Sequence, residues 1–336
     1  MSVSTQKIDT ESFANILRER SVNVESREIL ISILAGSDQE ADLSEPVNCG
    51  GLGRIRHFKE ETARGWPPNP LPIVPAIKAL GEFEDSDKID AQVFQNAACP
   101  WRCWYCFVPY NLLSANKKKS KWVTSEELVQ LYRTQSKPAR MIDLSGGSPD
   151  LVPEWSVWMM EALQNAGLDK TTYLWSDDNL STTYLFEKLT PNQLDKLQEY
   201  ENYGRVCCFK GFDEASFSFN TQATPEGFDN QFKVMARNLE LDIDLYGYLT
   251  LTARTDAGIK QKMSDFVDRL QELKPNLPLR VIPLRIGTYG PVLGRMTEER
   301  ERSLAIQETA ISCWNEEIKA RFTDLERNTS ICEVKL

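Results

Sequence analysis

Apolar positions alternate between two spacings from about residue 89 onward. Short runs of apolar and β-branched residues are typical of buried strands, and positions that repeat every three to four residues indicate amphipathic helices. Six runs predict strands, at residues 91–95, 140–144, 172–175, 205–209, 244–252 and 279–286. Because helical patterns fall between them, we expect a parallel sheet covered by helices, arranged as an open, partial β/α barrel.

The predicted helices carry start and stop signals. Thr124 and Glu127 form a capping-box pattern, and Pro153 opens a helix that Gly167 stops. Four more helices are predicted, which begin near Thr190, Thr224, Ile259 and Thr297.

The first 88 residues show weaker patterns. Apolar stripes at 13–17 and 30–34 predict two short helices, the glycine-rich residues 49–53 predict a turn, and the proline-rich stretch 66–75 predicts an extended surface segment. We therefore expect three parts. Residues 1–88 form a helical and extended segment that wraps the core, 89–295 form the barrel, and 296–336 form a C-terminal helix and tail.

Composition is that of a soluble globular protein. The chain has 336 residues, of which 41% are hydrophobic and 26% charged. It shows no apolar run of about 18 residues and its first residues are polar, so we expect neither a membrane span nor a signal peptide, and a cytoplasmic location. In that compartment the eight cysteines are expected to be ligands or free thiols. The net charge of −10 argues against a nucleic-acid substrate.

The strongest chemical signal is the sequence NAACPWRCWYCF at residues 96–107. Cys99, Cys103 and Cys106 are spaced C-x3-C-x2-C, and Tyr105 precedes the third cysteine. Three thiolates in one loop can hold three irons of a cubane cluster and leave the fourth iron open to a small molecule. A zinc site usually takes four ligands, and His57 and Cys49, which could supply a fourth, lie far away in sequence.

This loop resembles the signature of radical S-adenosylmethionine (radical SAM) enzymes. The resemblance implies a partial (β/α)6 barrel in which the loop follows the first strand. It also implies a single [4Fe-4S] cluster held by Cys99, Cys103 and Cys106, with S-adenosylmethionine (AdoMet) on the open iron. In that family the reduced cluster cleaves AdoMet to methionine and a 5′-deoxyadenosyl radical, which removes a hydrogen atom from the substrate.

Further AdoMet contacts are expected where the predicted strands end. The resemblance assigns them to Tyr105, Gly146, Gly147, Ser148, Ser176, Asp177, Asp178, Asn179, Lys210 and Arg285. Ser148 stands where the family has a glutamate, and Cys208 where it has an aspartate. Each segment also has a plainer interpretation: a tight turn at 145–149, an Asx turn at 176–179, a lysine at 210 that extends from a strand end, or an arginine at 285 that pairs with an acidic residue.

The substrate is left open. The segment around Lys210 resembles glycyl-radical-enzyme activases, which favours a partner-protein glycine, but a small molecule or a peptide fits as well. A flavodoxin or ferredoxin would supply electrons, and the basic residues Lys117, Lys118, Lys119 and Lys121 either receive such a partner or form a solvated loop. The alternative from another class is a zinc-binding α/β interaction module that uses the three cysteines and Cys49.

Overall fold

The computed structural model describes residues 7–81 and 87–336. Its strands are β1 (Val22–Asn23), β2 (Glu28–Ser32), β3 (Gly53–Lys59), β4 (Lys88–Phe94), β5 (Ser120–Thr124), β6 (Met141–Leu144), β7 (Tyr173–Asp178), β8 (Tyr203–Phe209), β9 (Asp244–Thr250) and β10 (Val281–Leu284). Its α-helices are α1 (Thr10–Ser21), α2 (Ile73–Leu80), α3 (Ser125–Arg133), α4 (Glu154–Asn165), α5 (Tyr184–Lys188), α6 (Pro191–Glu199), α7 (Glu214–Thr221), α8 (Gly227–Asn238), α9 (Ile259–Leu273), α10 (Gly290–Leu293), α11 (Glu298–Arg321) and α12 (Asp324–Arg327).

A curled seven-stranded sheet organises the chain, in the order β10-β9-β8-β7-β6-β4-β3. The six strands from β4 to β10 in this sheet are parallel to their neighbours, and β3 pairs antiparallel with β4 at one edge. Each of the six predicted strands overlaps one of the parallel strands. The predicted partial β/α barrel is therefore confirmed, with one added antiparallel strand.

The two faces of this sheet are buried against different partners. The convex face packs against the outer helices in two large apolar clusters, to which α3, α4, α8, α9 and α11 contribute. The other, concave face carries a third apolar cluster, to which the strands contribute Ala91, Met141, Tyr173, Trp175, Val206, Tyr246 and Tyr248. Parallel strands buried on both faces account for the continuous apolar runs in the sequence.

The concave face is closed near the amino ends of the strands. Ile73 and Ala76 of α2, together with Ile331 and Cys332 of the C-terminal tail, belong to the apolar cluster on this face. Arg280, which directly precedes β10, donates a hydrogen bond to the carbonyl of Val334 (2.9 Å). A ligand would therefore enter from the carboxyl ends of the strands, where barrels of this kind bind their ligands.

Two predictions for the N-terminal part were wrong. Residues 28–32 form strand β2 instead of a helix, because β2 pairs with β5 and its apolar run is buried on both sides. The proline-rich stretch is not wholly extended, since α2 begins at Ile73 inside it. Pro75 lies in the first turn of α2, where a backbone N–H has no partner in the helix. Leu71 and Ile73 are buried, so this segment does not run over the surface.

The division of the chain at residues 88 and 295 stays a prediction. Residues before this first boundary contribute β3 to the main sheet and α2 to the core of its concave face. No helix among residues 7–81 and 87–336 is long and apolar enough to cross a membrane.

A buried ion pair joins β7 and β8. Arg205 and Asp178 lie 2.6 Å apart, and each side chain is 2% exposed. Asp178 also accepts hydrogen bonds from the backbone N–H of Leu180 (2.6 Å) and from Asn238 (3.4 Å). The pair therefore links the carboxyl end of β7 to the first half of β8.

We expect Arg205→Gln to lower the free energy of unfolding by about 3 kcal/mol, because Asp178 is left as a buried carboxylate without its cation. Urea denaturation measures the change. Lys170→Gln is the matched control, since Lys170 makes an exposed pair with Glu201, and it should have no measurable effect. Equal losses in the two variants would contradict the role of the buried pair.

Candidate active site

The cysteine loop, residues 95–119, connects β4 to β5 and is fixed by backbone hydrogen bonds to its surroundings. The N–H groups of Arg102 and Trp104 donate to the carbonyls of Thr221 and Asn220 at the end of α7 (3.0 and 3.2 Å). Within the loop, the N–H of Cys99 donates to the carbonyl of Leu113 (3.1 Å). The shape of the loop is therefore fixed by hydrogen bonds to α7 and by hydrogen bonds between its first and second halves.

Two arginines bind carbonyl groups next to the cysteines. Arg102 donates to the carbonyl of Cys99 (2.6 Å), and Arg295 donates to the carbonyls of Cys106 and Val108 (2.7 and 3.0 Å). Charge-assisted hydrogen bonds of this kind are stronger than neutral ones. They hold the polypeptide on both sides of the cysteines and bring positive charge close to the sulfur atoms.

The thiols themselves lie in a buried, electrically coupled group. Burial raises the pKa of Cys99 to about 12 and that of Cys103 to about 11, and it also raises the pKa of Cys106. The positive charge of Lys210 acts in the opposite direction on Cys103 and Cys106. Without a metal the thiols are neutral, whereas bound iron and the nearby cations would favour the thiolate form that metals require.

The donor set fits an iron–sulfur cluster. Soft thiolate ligands from one loop are those that such clusters take. Cys49 lies elsewhere, in an apolar cluster with Leu52 and Tyr132, so it does not join the loop. Among residues 7–81 and 87–336, no three or more histidine, cysteine or acidic side chains, the loop cysteines included, are placed to hold one single metal ion. Because Cys49 belongs to that other cluster, the four cysteines considered for zinc from the sequence are not brought together.

The glycine turn after β6 packs directly on the start of the cysteine loop. Gly146 and Gly147 have φ angles of +80° and +65°, which favour glycine. A Cβ atom on Gly147 would lie 2.2 Å from the carbonyl oxygen of Asn96 and 2.7 Å from that of Ala98. The backbone of the cysteine loop lies so close that only glycine fits at position 147.

Ser148 and Asn179 tie this turn to the end of β7. Ser148 is fully buried, and its hydroxyl donates to Asp150 (2.6 Å) and accepts from Asn179 (3.0 Å). Asn179 also donates to the carbonyl of Gly147 (3.1 Å). Both predicted site residues therefore have partners inside the protein, and their hydrogen bonds support the turn.

Asp177 is the one acidic residue of the predicted segment 176–179 that reaches the concave face. Ser176 bonds to the hydroxyl of Tyr203 (2.7 Å) and Asp178 pairs with Arg205, both on the outer side of β7. Asp177 points to the concave side, as expected for alternating residues, and accepts a hydrogen bond from the hydroxyl of Ser145 (2.5 Å). Burial raises the pKa of Asp177, against the positive charges that surround it.

Lys210, directly after β8, lies between the cysteine loop and Asp177. Burial opposes its charge, but Cys208, Cys103 and Asp177 together hold the pKa of Lys210 above its ordinary value. Lys210 therefore remains an ammonium group beside the thiols. Tyr105, on the other side of the loop, reaches the end of β9, where its hydroxyl bonds to Thr250 (3.2 Å).

Arg285 is not brought together with these groups. It is half-exposed and its guanidinium forms an ion pair with Glu308 of α11 (3.0 Å). Arg285 therefore links the residue after β10 to the C-terminal helix.

Sequence reasoning missed three charged residues on the concave face. Arg54 and Arg56 come from β3, and Asp143 comes from β6. An oxygen of Asp143 lies 3.7 Å from Arg56, and burial, followed by the charge of Asp177, raises the pKa of Asp143 to about 8. The alternation of residues 53–59, GRIRHFK, was the available signal. It places Arg54 and Arg56 on one face of a strand.

We expect Gly147→Ala to lower the free energy of unfolding by about 3 kcal/mol, because a methyl group would meet two carbonyl oxygens and the backbone is left-handed there. Gly36→Ala is the matched control. Gly36 has a similar φ of +69° but nothing within 4 Å of an added Cβ, so it should lose only about 1 kcal/mol. Chemical denaturation of both variants measures the difference, and equal losses would refute the close packing of turn and loop.

Comparison with known proteins gives one family match and several similar solved structures. Residues 96–220 match the Radical SAM superfamily. No curated protein sequence is significantly similar to the chain. Among solved structures, Streptococcus suis SuiB bound to S-adenosylmethionine is similar with a TM-score of 0.39 and 14% identity, over 55% of this chain and 38% of SuiB. SuiB bound to the precursor peptide SuiA gives 0.38 and 13%, over 55% of this chain and 36% of that one.

The structure of TYW1 with a lysine–pyruvate adduct bound is similar with a TM-score of 0.38 and 13% identity, over 77% of each chain. The chain thus spans less than two-fifths of the SuiB structures that it matches. The family match includes all three loop cysteines and the glycine turn. Residues 96–220 identify this chain as similar to radical SAM enzymes, and that family implies a [4Fe-4S] cluster and AdoMet as its cofactors.

Proposed function

We propose that the chain is a radical SAM enzyme that cleaves AdoMet reductively and removes a hydrogen atom from a substrate in the barrel. The observation that carries the proposal is the group of three thiols, Cys99 and Cys103 buried and Cys106 partly buried, in a loop whose backbone is fixed by hydrogen bonds to α7 and within the loop. Cys99, Cys103 and Cys106 would bind three irons. When bound, the cluster and AdoMet supply an electron and a 5′-deoxyadenosyl radical.

The protein's own residues would orient AdoMet and exclude water. Lys210 stays charged beside the thiols and suits the carboxylate of the methionine part. The buried Trp101 and Trp104 flank the cysteines and would keep solvent from the cluster. Tyr105, whose hydroxyl reaches Thr250 at the end of β9, and Asp177, on which the charge of Lys210 acts, are the further contacts that we favour.

Other expected AdoMet contacts are supported differently. Gly146 and Gly147 would contribute backbone groups, since they have no side chains. Ser148, Ser176, Asp178, Asn179 and Arg285 already have partners within the protein. For the first four residues we propose a supporting role, in which they fix the strand ends and turns that border the site. Arg285 instead links the residue after β10 to α11.

The substrate class and the electron donor are further parts of the proposal. A small molecule, a peptide and a partner-protein glycine remain the three candidates. Lys117, Lys118 and Lys121 are exposed on the return of the cysteine loop. They would attract an acidic flavodoxin or ferredoxin to the part of the surface that leads to the cluster.

We expect the protein, purified without oxygen and reconstituted with iron and sulfide, to form 5′-deoxyadenosine from AdoMet in the presence of dithionite. Mass spectrometry detects the product. Cys103→Ala should reduce its formation to the level of a sample without protein, because the cluster loses one of its thiolates.

Cys49→Ala is the matched control, since Cys49 is equally buried but lies outside the loop; it should keep full product formation. Product formation that persists in Cys103→Ala would overturn the proposed ligands. A wild-type protein that forms the cluster but no product would overturn the proposed activity.

A further inference from the structure

The concave face carries a layer of charged residues between the aromatic floor and the cysteine loop. It contains three cations, Arg54, Arg56 and Lys210, against two carboxylates, Asp143 and Asp177. The excess of positive charge is unusual in a chain with a net charge of −10. The proposed binding of AdoMet uses Lys210 and Asp177. It assigns no role to Arg54, Arg56 and Asp143.

Register in the sheet places Arg54 and Asp143 on the same face and at the same height. Arg54 is opposite Val93 of β4, Val93 is opposite Asp143 of β6, and Asp143 is opposite Trp175 of β7. Residues that are opposite one another in paired strands project to the same side of a sheet. Trp175 belongs to the apolar cluster of the concave face, so both charged side chains project into the barrel.

Arg54 is a buried cation without an acceptor. The residue is 8% exposed, and its Nε atom is buried without a hydrogen-bond partner. In the described part of the chain its guanidinium has neither an ion pair nor a hydrogen bond, and it lies over the ring of Phe107, whose centroid is 5.3 Å away. A buried charge is costly unless it is paired. Arg54 is therefore suited to an anion that is supplied from outside.

Asp143 is the matching acceptor without a donor. It is fully buried, and neither carboxylate oxygen accepts a hydrogen bond. Arg56 approaches it to 3.7 Å, which is too far for a hydrogen bond. A ligand that satisfied both residues would carry an anionic oxygen group for Arg54 and a hydrogen-bond donor for Asp143.

We propose that Arg54, Arg56 and Asp143 bind the α-amino acid group of the substrate, with the carboxylate on the arginines and the ammonium on Asp143. Arginine suits a carboxylate because its planar guanidinium donates two parallel hydrogen bonds. A phosphate fits less well, since it has no ammonium group for Asp143 and its double negative charge would face two carboxylates. The site lies deeper than the glycine turn, because Asp143 precedes Ser145 by two residues along β6.

This inference rests on the proposed function only in placing the amino acid below AdoMet. Chemically, it narrows the substrate to a free amino acid or a small molecule that carries an intact amino acid group. An internal residue of a peptide or of a partner protein lacks both charges, and a chain terminus carries only one of them.

The test titrates each of the twenty proteinogenic L-amino acids, and separately inorganic phosphate, into the reconstituted protein saturated with AdoMet, and follows binding by calorimetry. We expect at least one amino acid to bind. Arg54→Gln and Asp143→Asn should each lower the affinity for that amino acid at least tenfold, because each removes about one charge-assisted hydrogen bond. Arg302→Gln, at an exposed position of α11, is the matched control and should leave it unchanged.

AdoMet binding is measured in the same variants and should change less than twofold. Arg54→Lys, which keeps the charge and loses the planar fork, should bind the amino acid with intermediate strength and guards against an unfolded Arg54→Gln. The proposal is overturned if no amino acid binds. It is also overturned if phosphate, or the decarboxylated amine of the bound amino acid, binds as tightly as the amino acid itself. A third contrary result would be an Arg54→Gln variant whose affinities for AdoMet and for the amino acid fall by the same factor.

The two proposals fail separately. Amino acid binding that depends on Arg54 in a protein that does not cleave AdoMet would support the site and refute the proposed activity. Cleavage of AdoMet without any amino acid binding would do the reverse.

Discussion

The close approach of the glycine turn to the cysteine loop is the constraint on which the candidate site depends. The carbonyl oxygens of Asn96 and Ala98 occupy the space beside Gly147, and the backbone N–H of Ser148 donates to Ala98 (2.7 Å). From the other side, α7 binds the loop through Asn220 and Thr221. Each neutral hydrogen bond contributes only about 1 kcal/mol, but together they fix the loop in one conformation. This conformation sets the positions of the three thiols.

The charges of the barrel follow from what such a loop requires. Buried thiols resist ionisation, and Lys210 lies where its charge favours thiolates at Cys103 and Cys106. The carboxylates of Asp143 and Asp177, in turn, lie among cations that oppose the effect of burial on them. Earlier along the same strands, Met141 and Tyr173 belong to the apolar cluster of the concave face and form an apolar floor below this layer. The barrel thus combines a dry base with a charged upper layer, which suits a reaction that must exclude water.

Local patterns predicted the parallel strands because each is a short apolar run between capped helices. Residues 28–32 were misread because an apolar run of this length does not distinguish a strand from a buried helix. Its β-branched residues Ile29 and Ile31 pair with β5, which lies about ninety residues further on. The edge strand β3 was missed because its partner β4 lies beyond a long connection, and only that pairing places Arg54 inside the barrel.

The cysteine spacing indicated the loop and the strand ends indicated segments for the site, but a sequence does not say which polar side chains form hydrogen bonds or ion pairs within the protein. Ser148 and Asn179 bind each other, Asp178 binds Arg205, and Arg285 binds Glu308 on a distant helix. These pairings depend on the folded arrangement of separate elements. Arg54 and Asp143 show the converse, because their lack of hydrogen-bond partners is visible only once the sheet has brought them together.

The most direct test of the central claim is the electron paramagnetic resonance spectrum of the reconstituted, dithionite-reduced protein, recorded without and with AdoMet. The account predicts the signal of a reduced [4Fe-4S] cluster that changes when AdoMet is added, because only three irons have cysteine ligands and the fourth is open. A cluster signal that AdoMet leaves unchanged, or a protein that takes up no iron at all, would contradict the account.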